Sequence, residues 1–150
     1  MSERINLGKS APKLYQTLVS LDQLASEAVT SAGIAEGFSH LLVLRASQIN
    51  QCAYCVRVHA RDALASGETI DRISVLPAWR ETSYFNEKEC AALALVEAIT
   101  LVADGQVPDA IYDHATAILS QEELSAIEWL AIVINAWNRI GIASRYPVKP

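Results

Sequence analysis

Residues 41–59 read LLVLRASQINQCAYCVRVH, and this stretch predicts two helices separated by a polar break. Apolar residues at helical spacing predict the first helix over about residues 38–48. Asn50 and Gln51 then form a break or cap. The second helix is predicted over residues 52–66, with Gly67 as its C-terminal cap. Helix start and stop signals of this kind, rather than the period-two alternation of strands, indicate the fold class.

The N-terminal third and the centre of the chain carry similar signals. Pro12 can begin a helix whose leucines recur at roughly helical spacing. A separate short helix over about residues 26–31 should end at Gly33. Residues 70–83, which include Pro77, predict a short helix followed by a loop.

Two capping-box patterns predict the longest helices. They begin at Asn86 and at Ser120, each followed three residues later by glutamate. The first helix should end near Gly105 and the second at Gly141, and Pro108 begins another helix between them. No stretch alternates at period two for the length of a sheet. The sequence therefore predicts an all-α, single-domain helical bundle over residues 1–150.

Composition and charge exclude several classes of function. Hydrophobic residues make up 51% and charged residues 19%, which favours burial of apolar surface in a homo-oligomer. The net charge of -5 and the lack of a Lys/Arg cluster argue against a nucleic-acid partner. No apolar run has the length of a membrane span, and the polar start Met1-Ser2-Glu3-Arg4 is not typical of a signal peptide. We therefore expect a soluble, cytoplasmic protein with no membrane partner.

The pair Cys52 and Cys55, with His59 one turn further on, has the widest chemical range in the chain. In a helix, these spacings put the three side chains on one face. Cysteines three apart can form a disulfide, and a helix N-terminus favours the thiolate. A histidine one turn beyond can take or return a proton. This combination favours a redox-active dithiol.

Two other interpretations of the same residues remain open. Two thiolates and an imidazole are three tetrahedral zinc ligands, and His40 is a candidate fourth. Alternatively, the cysteines are two small core residues beside a surface histidine. The spacing alone favours redox chemistry over both, but it does not exclude them.

The wider context of the motif resembles a known family. The core A-S-Q-I-N-x-C-x-Y-C-x-x-x-H is similar to that of alkylhydroperoxidase D-like proteins, in the carboxymuconolactone decarboxylase-like superfamily. Two later segments agree with this resemblance, ECAALALVEAIT at residues 89–100 and INAWNR at residues 134–139. The resemblance covers about residues 12–146.

The resemblance implies an all-helical, oligomeric fold, a trimer or hexamer, with the C-x-x-C at the start of a helix. It further implies a dithiol that reduces hydroperoxides, with Cys55 as the peroxidatic thiol, Cys52 as the resolving thiol and His59 in a proton relay. An external thiol or dithiol would reduce the disulfide, and no cofactor or metal is assigned. The alternatives are a metal-binding or redox-sensing module, or a decarboxylation or ring opening on the same scaffold.

The chain departs from the family pattern at His40. The relay of the family commonly has a glutamate twelve residues before the first cysteine, where this sequence has His40. A neutral histidine can shuttle protons, but it does not supply a negative charge. Either His40 takes the place of the glutamate, or another acid such as Glu36 or Glu97 does so, or the peroxidase activity is weak. The predicted site therefore comprises Cys52, Cys55, His59 and His40.

The remaining polar and reactive residues have simpler predicted roles. Cys90 is expected to be a small core residue, and Arg45 is expected to form a salt bridge. Tyr54 points away from the cysteines and could line a substrate or subunit contact, while His114 should be exposed. A structural polar network is predicted for three residues of the last helix, Asn135, Asn138 and Arg139.

Overall fold

The structure, a computed structural model, describes residues 2–150, so Met1, the first residue of the polar start and of the predicted domain, lies outside it. Within these residues the regular elements are all helical, which confirms the predicted all-α fold. The α-helices are α1 Leu7–Ser10, α2 Pro12–Ser31, α3 Glu36–Ile49, α4 Ala53–Ala65, α5 Ile70–Val75, α6 Glu87–Thr100, α7 Asp109–Ile118 and α8 Gln121–Ala143. Two 3-10 helices cover Leu76–Glu81 and Val102–Asp104.

Helix α3 lies at the centre of the fold, in contact with α4, α6 and α8. Leu41, Leu42 and Leu44 of α3 are at most 1% exposed, because α3 meets neighbours around most of its circumference. Burial of each such side chain stabilises the fold by about 1.5–3 kcal/mol. Helix α2 packs on α8, and α7 packs on α6. The central position of α3 holds the chain that leads into the cysteine motif.

Helix α2 corrects one prediction. The chain does not form a separate helix over residues 26–31, because α2 runs without a break from Pro12 to Ser31. Within this helix the Ser26 backbone carbonyl accepts a hydrogen bond from the Thr30 hydroxyl at 3.1 Å. Ala25 and Val29, one turn apart, are buried on the same face of α2, and their burial stabilises the helix through residue 26.

The helix ends match the predicted capping signals, with two differences in length. Both capping boxes are present, at Asn86 and at Ser120. Helix α6 ends at Thr100, and a 3-10 turn rather than α-helix continues to Gly105. The prediction that α8 ends at Gly141 is wrong, because the helix continues to Ala143. Among residues 2–150, no helix is both long and apolar enough to cross a membrane.

Candidate active site

The turn between α3 and α4 places Cys52 at the start of α4. The Cys52 N–H donates to the Ser47 carbonyl at 3.1 Å and the Gln51 N–H donates to the Gln48 carbonyl at 3.1 Å. Together these bonds form a Schellman motif, with Gln51 in the left-handed conformation at a φ of 56°. Asn50 and Gln51 therefore form the predicted break, and Cys52 follows as the N-cap of α4.

Cys52 and Cys55 form a disulfide across the first turn of α4. Their Cα atoms are 5.3 Å apart, and the Cys52 Sγ accepts a hydrogen bond from the Cys55 N–H at 3.3 Å. Both residues are buried, with 2% and 5% exposure. The free N–H groups of this helix end favour negative charge on sulfur when the disulfide is reduced. The first turn of α4 therefore suits a dithiol that cycles between thiolate and disulfide.

Gly141 of α8 leaves the space that the two sulfurs occupy. A Cβ added at Gly141 would lie 3.2 Å from the Cys52 Sγ and 3.6 Å from the Cys55 Sγ. A glycine in the interior of a helix usually costs about 1 kcal/mol relative to alanine, so its presence here needs a packing reason. Contact with the disulfide provides that reason. The sequence interpretation missed this role because it used Gly141 as a helix end.

A network of amides holds the turn against α8. The Asn50 amide N–H groups donate to the side-chain oxygens of Asn135 and Asn138, both at 2.9 Å. The Asn138 amide donates to the Ser47 hydroxyl at 3.0 Å, and the Asn135 amide donates to the Thr100 hydroxyl at 3.1 Å. This confirms the predicted structural network. It ties the end of α3, at Ser47 and Asn50, to α8.

A cavity of about 270 Å³ opens beside the disulfide. Cys55 and His59 line it, whereas Cys52 is not among the lining residues. Tyr54 also lines it, and its ring meets the Tyr146 ring edge-on at a centroid distance of 5.2 Å. The other lining residues are mostly apolar or aromatic: Tyr15, Val19, Asp22, Val58, Trp137, Gly141 and Tyr146. A ligand in this cavity would contact Cys55 and not Cys52.

His59 is electrically neutral at neutral pH. Burial lowers its pKa from 6.5 to about 4; the Asp62 charge opposes this shift and His40 adds to it. The Asp62 Oδ2 lies 3.7 Å from the His59 Nδ1, which is too far for a hydrogen bond. The Nδ1 atom is buried and has no hydrogen-bond partner in the structure. A neutral imidazole beside Cys55 can accept a proton from its thiol.

His40 reaches the site only through His59. The two rings lie nearly parallel, 25° apart, with centroids separated by 6.3 Å. His40 is half-buried and is not among the residues that line the cavity. The structure thus brings Cys52, Cys55 and His59 together on α4, with His40 on α3 behind the imidazole.

Glu97 does not act on His59. Its carboxylate accepts hydrogen bonds from Arg45 at 2.7 Å and from the Trp79 indole at 3.0 Å, and it also pairs with Arg80. Burial tends to raise the pKa of Glu97, but these three donors outweigh it, so the pKa lies below its usual value. The Arg45–Glu97 pair confirms the salt bridge predicted for Arg45. The carboxylate beside His59 is Asp62, which the sequence interpretation did not single out.

Comparisons with known proteins match this chain to a family. The model of the carboxymuconolactone decarboxylase family matches residues 12–98. The chain belongs to this family. The uncharacterised protein YdfG of Bacillus subtilis (strain 168) is 34% identical over 143 residues, which is 95% of each chain. A crystal structure of ATU0492 from Agrobacterium tumefaciens has a TM-score of 0.86 and 35% identity, covering 99% of this chain and 100% of that one.

The relatives support the predicted alkylhydroperoxidase D-like character of this family member. ATU0492 is described as a protein of unknown function and a candidate antioxidant defence protein AhpD. Together with the family match, this confirms the resemblance seen in the A-S-Q-I-N-x-C-x-Y-C core. An oxidoreductase or decarboxylase type of activity is typical of such a protein, and the reaction itself has to be argued from the site.

The structure does not bring together the Cys₂His₂ metal ligands that the sequence suggested. Both cysteine sulfurs are tied up in the disulfide and offer no thiolate to a metal. His40 and His59 instead lie near Asp62. Of the other predicted residues, Cys90 is a half-buried free cysteine against the core, and His114 is exposed on α7.

Several cavity residues were missed because they come from distant parts of the sequence. The aromatic wall is built from Tyr15 on α2, Trp137 on α8 and Tyr146 beyond α8. Asp22, also on α2, is a carboxylate in this wall; burial raises its pKa, and the Trp137 indole only partly opposes the rise. No spacing rule connects these positions. The packing of α2 on α8 brings them to Cys55.

Proposed function

We propose that the protein is a thiol-dependent peroxidase that reduces organic hydroperoxides through a Cys52/Cys55 dithiol–disulfide cycle. The observation that carries this proposal is the position of the Cys52–Cys55 disulfide, whose Cys55 side opens into a cavity shared with a neutral His59. Family membership and the description of ATU0492 as a candidate antioxidant defence protein support it.

The cycle begins with Cys55, because this residue lines the cavity and Cys52 does not. His59 takes the proton of the Cys55 thiol, and the thiolate attacks the outer oxygen of the hydroperoxide. The O–O bond breaks, His59 returns the proton to the departing alkoxide, and an alcohol leaves. Cys55 is then a sulfenic acid. The Cys52 thiol attacks the Cys55 sulfur and displaces water, which forms the disulfide.

The cycle closes when an external thiol or dithiol reduces the disulfide. A donor thiolate attacks the disulfide, forms a mixed disulfide with one cysteine and releases the other as a thiol. A second donor thiol then breaks the mixed disulfide, which frees the remaining cysteine and releases the oxidised donor as a disulfide. The donor reaches the disulfide through the cavity, since Cys52 is 2% exposed and Cys55 lines the cavity wall. Such a donor requires a reducing compartment, and we place the activity in the cytoplasm. No cofactor takes part.

His40 is a positioning residue in this proposal. The His40 ring stacks on the His59 ring, and His40 is half-buried. His40 therefore lies between the His59 imidazole and solvent. Protons taken up by His59 can leave by this side. This role differs from that of a relay glutamate, because His40 supplies no negative charge at neutral pH.

The shape of the cavity favours an organic substrate. Its volume of about 270 Å³ exceeds what hydrogen peroxide needs, and most of its lining is apolar or aromatic. An alkyl or aryl hydroperoxide gains free energy by burying its carbon groups there, at about 25 cal/mol per Å². We expect cumene hydroperoxide to have a higher kcat/KM than hydrogen peroxide.

The test is a set of cysteine variants with a thiol readout. Protein reduced with dithiothreitol and desalted should lose two thiols per chain after one equivalent of cumene hydroperoxide, with mass mapping placing the bridge between Cys52 and Cys55. Cys55→Ser should abolish peroxide consumption. Cys52→Ser should consume about one equivalent and stop at the sulfenic acid, which a dimedone adduct reports. Cys90→Ser is the matched control and should retain full turnover.

Two outcomes would overturn the proposal. One is full peroxidase turnover in both Cys52→Ser and Cys55→Ser. The other is no thiol loss in the wild-type protein when peroxide is added. Decarboxylation or ring opening of a lactone acid that survives both substitutions would favour the alternative chemistry of the family.

We also propose that the protein works as a homo-oligomer, a trimer or hexamer, assembled through the outer face of α8. Trp129 and Ile132 are each 48% exposed there, and Val102 beside them is 46% exposed. Ile132 and Val102 line an apolar surface groove of about 400 Å³. A second copy of the chain would remove this surface from water, in line with the 51% hydrophobic composition.

The assembly is tested by light scattering on size-exclusion fractions. The wild-type protein should have three or six times the mass of the chain, and Ile132→Glu should reduce it. Ile5→Glu, at a position that is 70% exposed outside this groove, is the control and should keep the wild-type mass. A monomeric wild-type protein contradicts the assembly.

A further inference from the structure

Three side chains with metal-ligating atoms meet around the His59 imidazole. They are His40 on α3, and His59 and Asp62 on α4. One ligand atom from each lies within 4.8 Å of the other two. His59 and Asp62 are three residues apart on one helix and therefore share a face. The convergence thus comes from two packed helices, not from one flexible loop.

The polar atoms in this group are not satisfied by one another. The buried His59 Nδ1 has no hydrogen-bond partner, although the Asp62 carboxylate lies 3.7 Å away. A buried nitrogen without a partner is costly, at about 1–3 kcal/mol. Two ligands of a tetrahedral zinc ion are themselves about 3.4 Å apart, given metal–ligand distances near 2.1 Å. The His59–Asp62 separation is therefore close to that of two atoms that share one ion.

The donor set determines the type of ion. Two imidazoles and one carboxylate, with positions left for water, are typical ligands of zinc and other divalent first-row transition metals. Magnesium and calcium prefer oxygen ligands throughout and are disfavoured here. The Asp62 side chain is 45% exposed, so it can turn to complete the coordination.

We propose that His40, His59 and Asp62 bind one divalent transition-metal ion, with Zn²⁺ as the occupant. The cysteines do not contribute, since the site is complete while they are joined in the disulfide. An ion held by His59 takes this imidazole out of proton transfer to Cys55. Occupancy therefore switches off the peroxidase cycle, a consequence that rests on the proposed function, whereas the binding site itself does not.

The experiment measures metal binding to the oxidised protein, so that Cys52 and Cys55 cannot act as ligands. A Cys90→Ser background removes the remaining thiol. Isothermal titration with ZnCl₂ should give about one ion per chain, and the melting temperature should rise with the zinc concentration. Titration with CoCl₂ should give the visible bands of a nitrogen–oxygen site without a sulfur-to-cobalt charge-transfer band.

The variants locate the site. His40→Gln and Asp62→Asn should each weaken Zn²⁺ binding by about tenfold or more, which corresponds to about 1.4 kcal/mol. His114→Gln, at an exposed histidine on α7, should bind zinc as the wild type does. Circular dichroism checks that each variant is folded, and Asp62→Asn carries little risk because the Asp62 side chain is 45% exposed.

Two results overturn the metal site. One is the absence of zinc binding to the oxidised protein, and the other is binding that neither His40→Gln nor Asp62→Asn weakens. The oxidised protein has no peroxidase turnover to measure, so these results leave the proposed peroxidase untouched. Conversely, failure of the cysteine variants to alter turnover would leave the zinc titration unaffected.

Discussion

Two polar regions flank the dithiol and differ in how their hydrogen-bonding groups are used. On the α8 side, Asn50 and Asn138 exchange hydrogen bonds with their neighbours, and Asn138 is fully buried. On the α3 side, the buried His59 Nδ1 has no partner and its ring only stacks on His40. In the first region the polar groups hydrogen-bond to one another and stabilise the α3–α4 turn. The second keeps a nitrogen free for a proton or an ion.

This difference teaches which residues should govern stability and which should govern chemistry. Removing one member of a satisfied network leaves its partners unpaired, so it should destabilise the fold. Removing a group that has no partner should change the free energy of unfolding little, yet change activity strongly.

The largest loss should follow Glu97→Gln, because the buried Glu97 carboxylate accepts hydrogen bonds from Arg45, Trp79 and Arg80. The substitution removes the charge that pairs with Arg45 and Arg80 and should destabilise the protein by about 3 kcal/mol at pH 7 in urea unfolding. The folded-state pKa of Glu97 lies below its usual 4.5. Its contribution is therefore complete above pH 4.5 and is lost as the pH falls below that value.

The difference between wild type and Glu97→Gln should accordingly narrow in acid. Glu27→Gln, at an exposed glutamate of α2, is the control and should change the free energy of unfolding little at any pH. A difference that stays constant down to pH 3 contradicts the charged role of Glu97.

The next largest loss should follow Asn138→Ala, which breaks the amide network beside the dithiol. Asn50 loses an acceptor and Ser47 loses a donor, with an expected cost of about 2 kcal/mol by urea unfolding. Arg139→Ala removes an exposed neighbour that only donates to Asn135, so it should cost about 0.5 kcal/mol or less. Equal losses in the two variants would show that the network is not what holds the turn.

A smaller loss should follow Gly141→Ala. The new Cβ would lie 3.2 Å from the Cys52 Sγ, so the oxidised protein should lose about 1 kcal/mol although alanine is the better helix former. In a Cys52→Ala background the sulfur is absent, and the same substitution should then stabilise the protein. This sign change is measured by a double-mutant cycle. Stabilisation in both backgrounds would mean that the contact does not restrict residue 141.

The smallest loss of stability, and a large loss of activity, should follow His59→Gln. Because the His59 Nδ1 makes no hydrogen bond, the free energy of unfolding in the presence of EDTA at pH 7.5 should change by about 0.5 kcal/mol or less. The kcat of hydroperoxide reduction should fall by about 100-fold, the usual effect of losing a general base. His114→Gln should leave both quantities unchanged. A stability loss equal to that of Asn138→Ala would falsify the comparison.

The local elements were largely predictable because their signals lie within a few residues of each other. Both capping boxes, the break at Asn50 and Gln51, and the cap at Gly67 lie where the sequence predicted them. The one local error in the first half was the separate helix over residues 26–31. It failed because serine is compatible with a helix interior, and burial of Ala25 and Val29 continues α2 through residue 26.

The site was predictable only in part. The spacing of Cys52, Cys55 and His59 placed them on α4, and their catalytic roles stay predictions. Gly141 was interpreted as a helix end because glycine is common there, whereas its function depends on what packs against it. Asp62 was missed because a single aspartate on a helix surface carries no signal by itself.

By itself, the sequence determined the helical class, most helix starts and the alignment of the two cysteines with His59, because these follow from periodicity and capping over short distances. The tertiary structure alone decided that Gly141 makes room for the sulfurs and that aromatic residues of α2 and α8 wall the cavity. It also decided that His40 and Asp62 meet at His59. These contacts join residues that are distant along the chain, and only the packing of one helix on another fixes which of them touch.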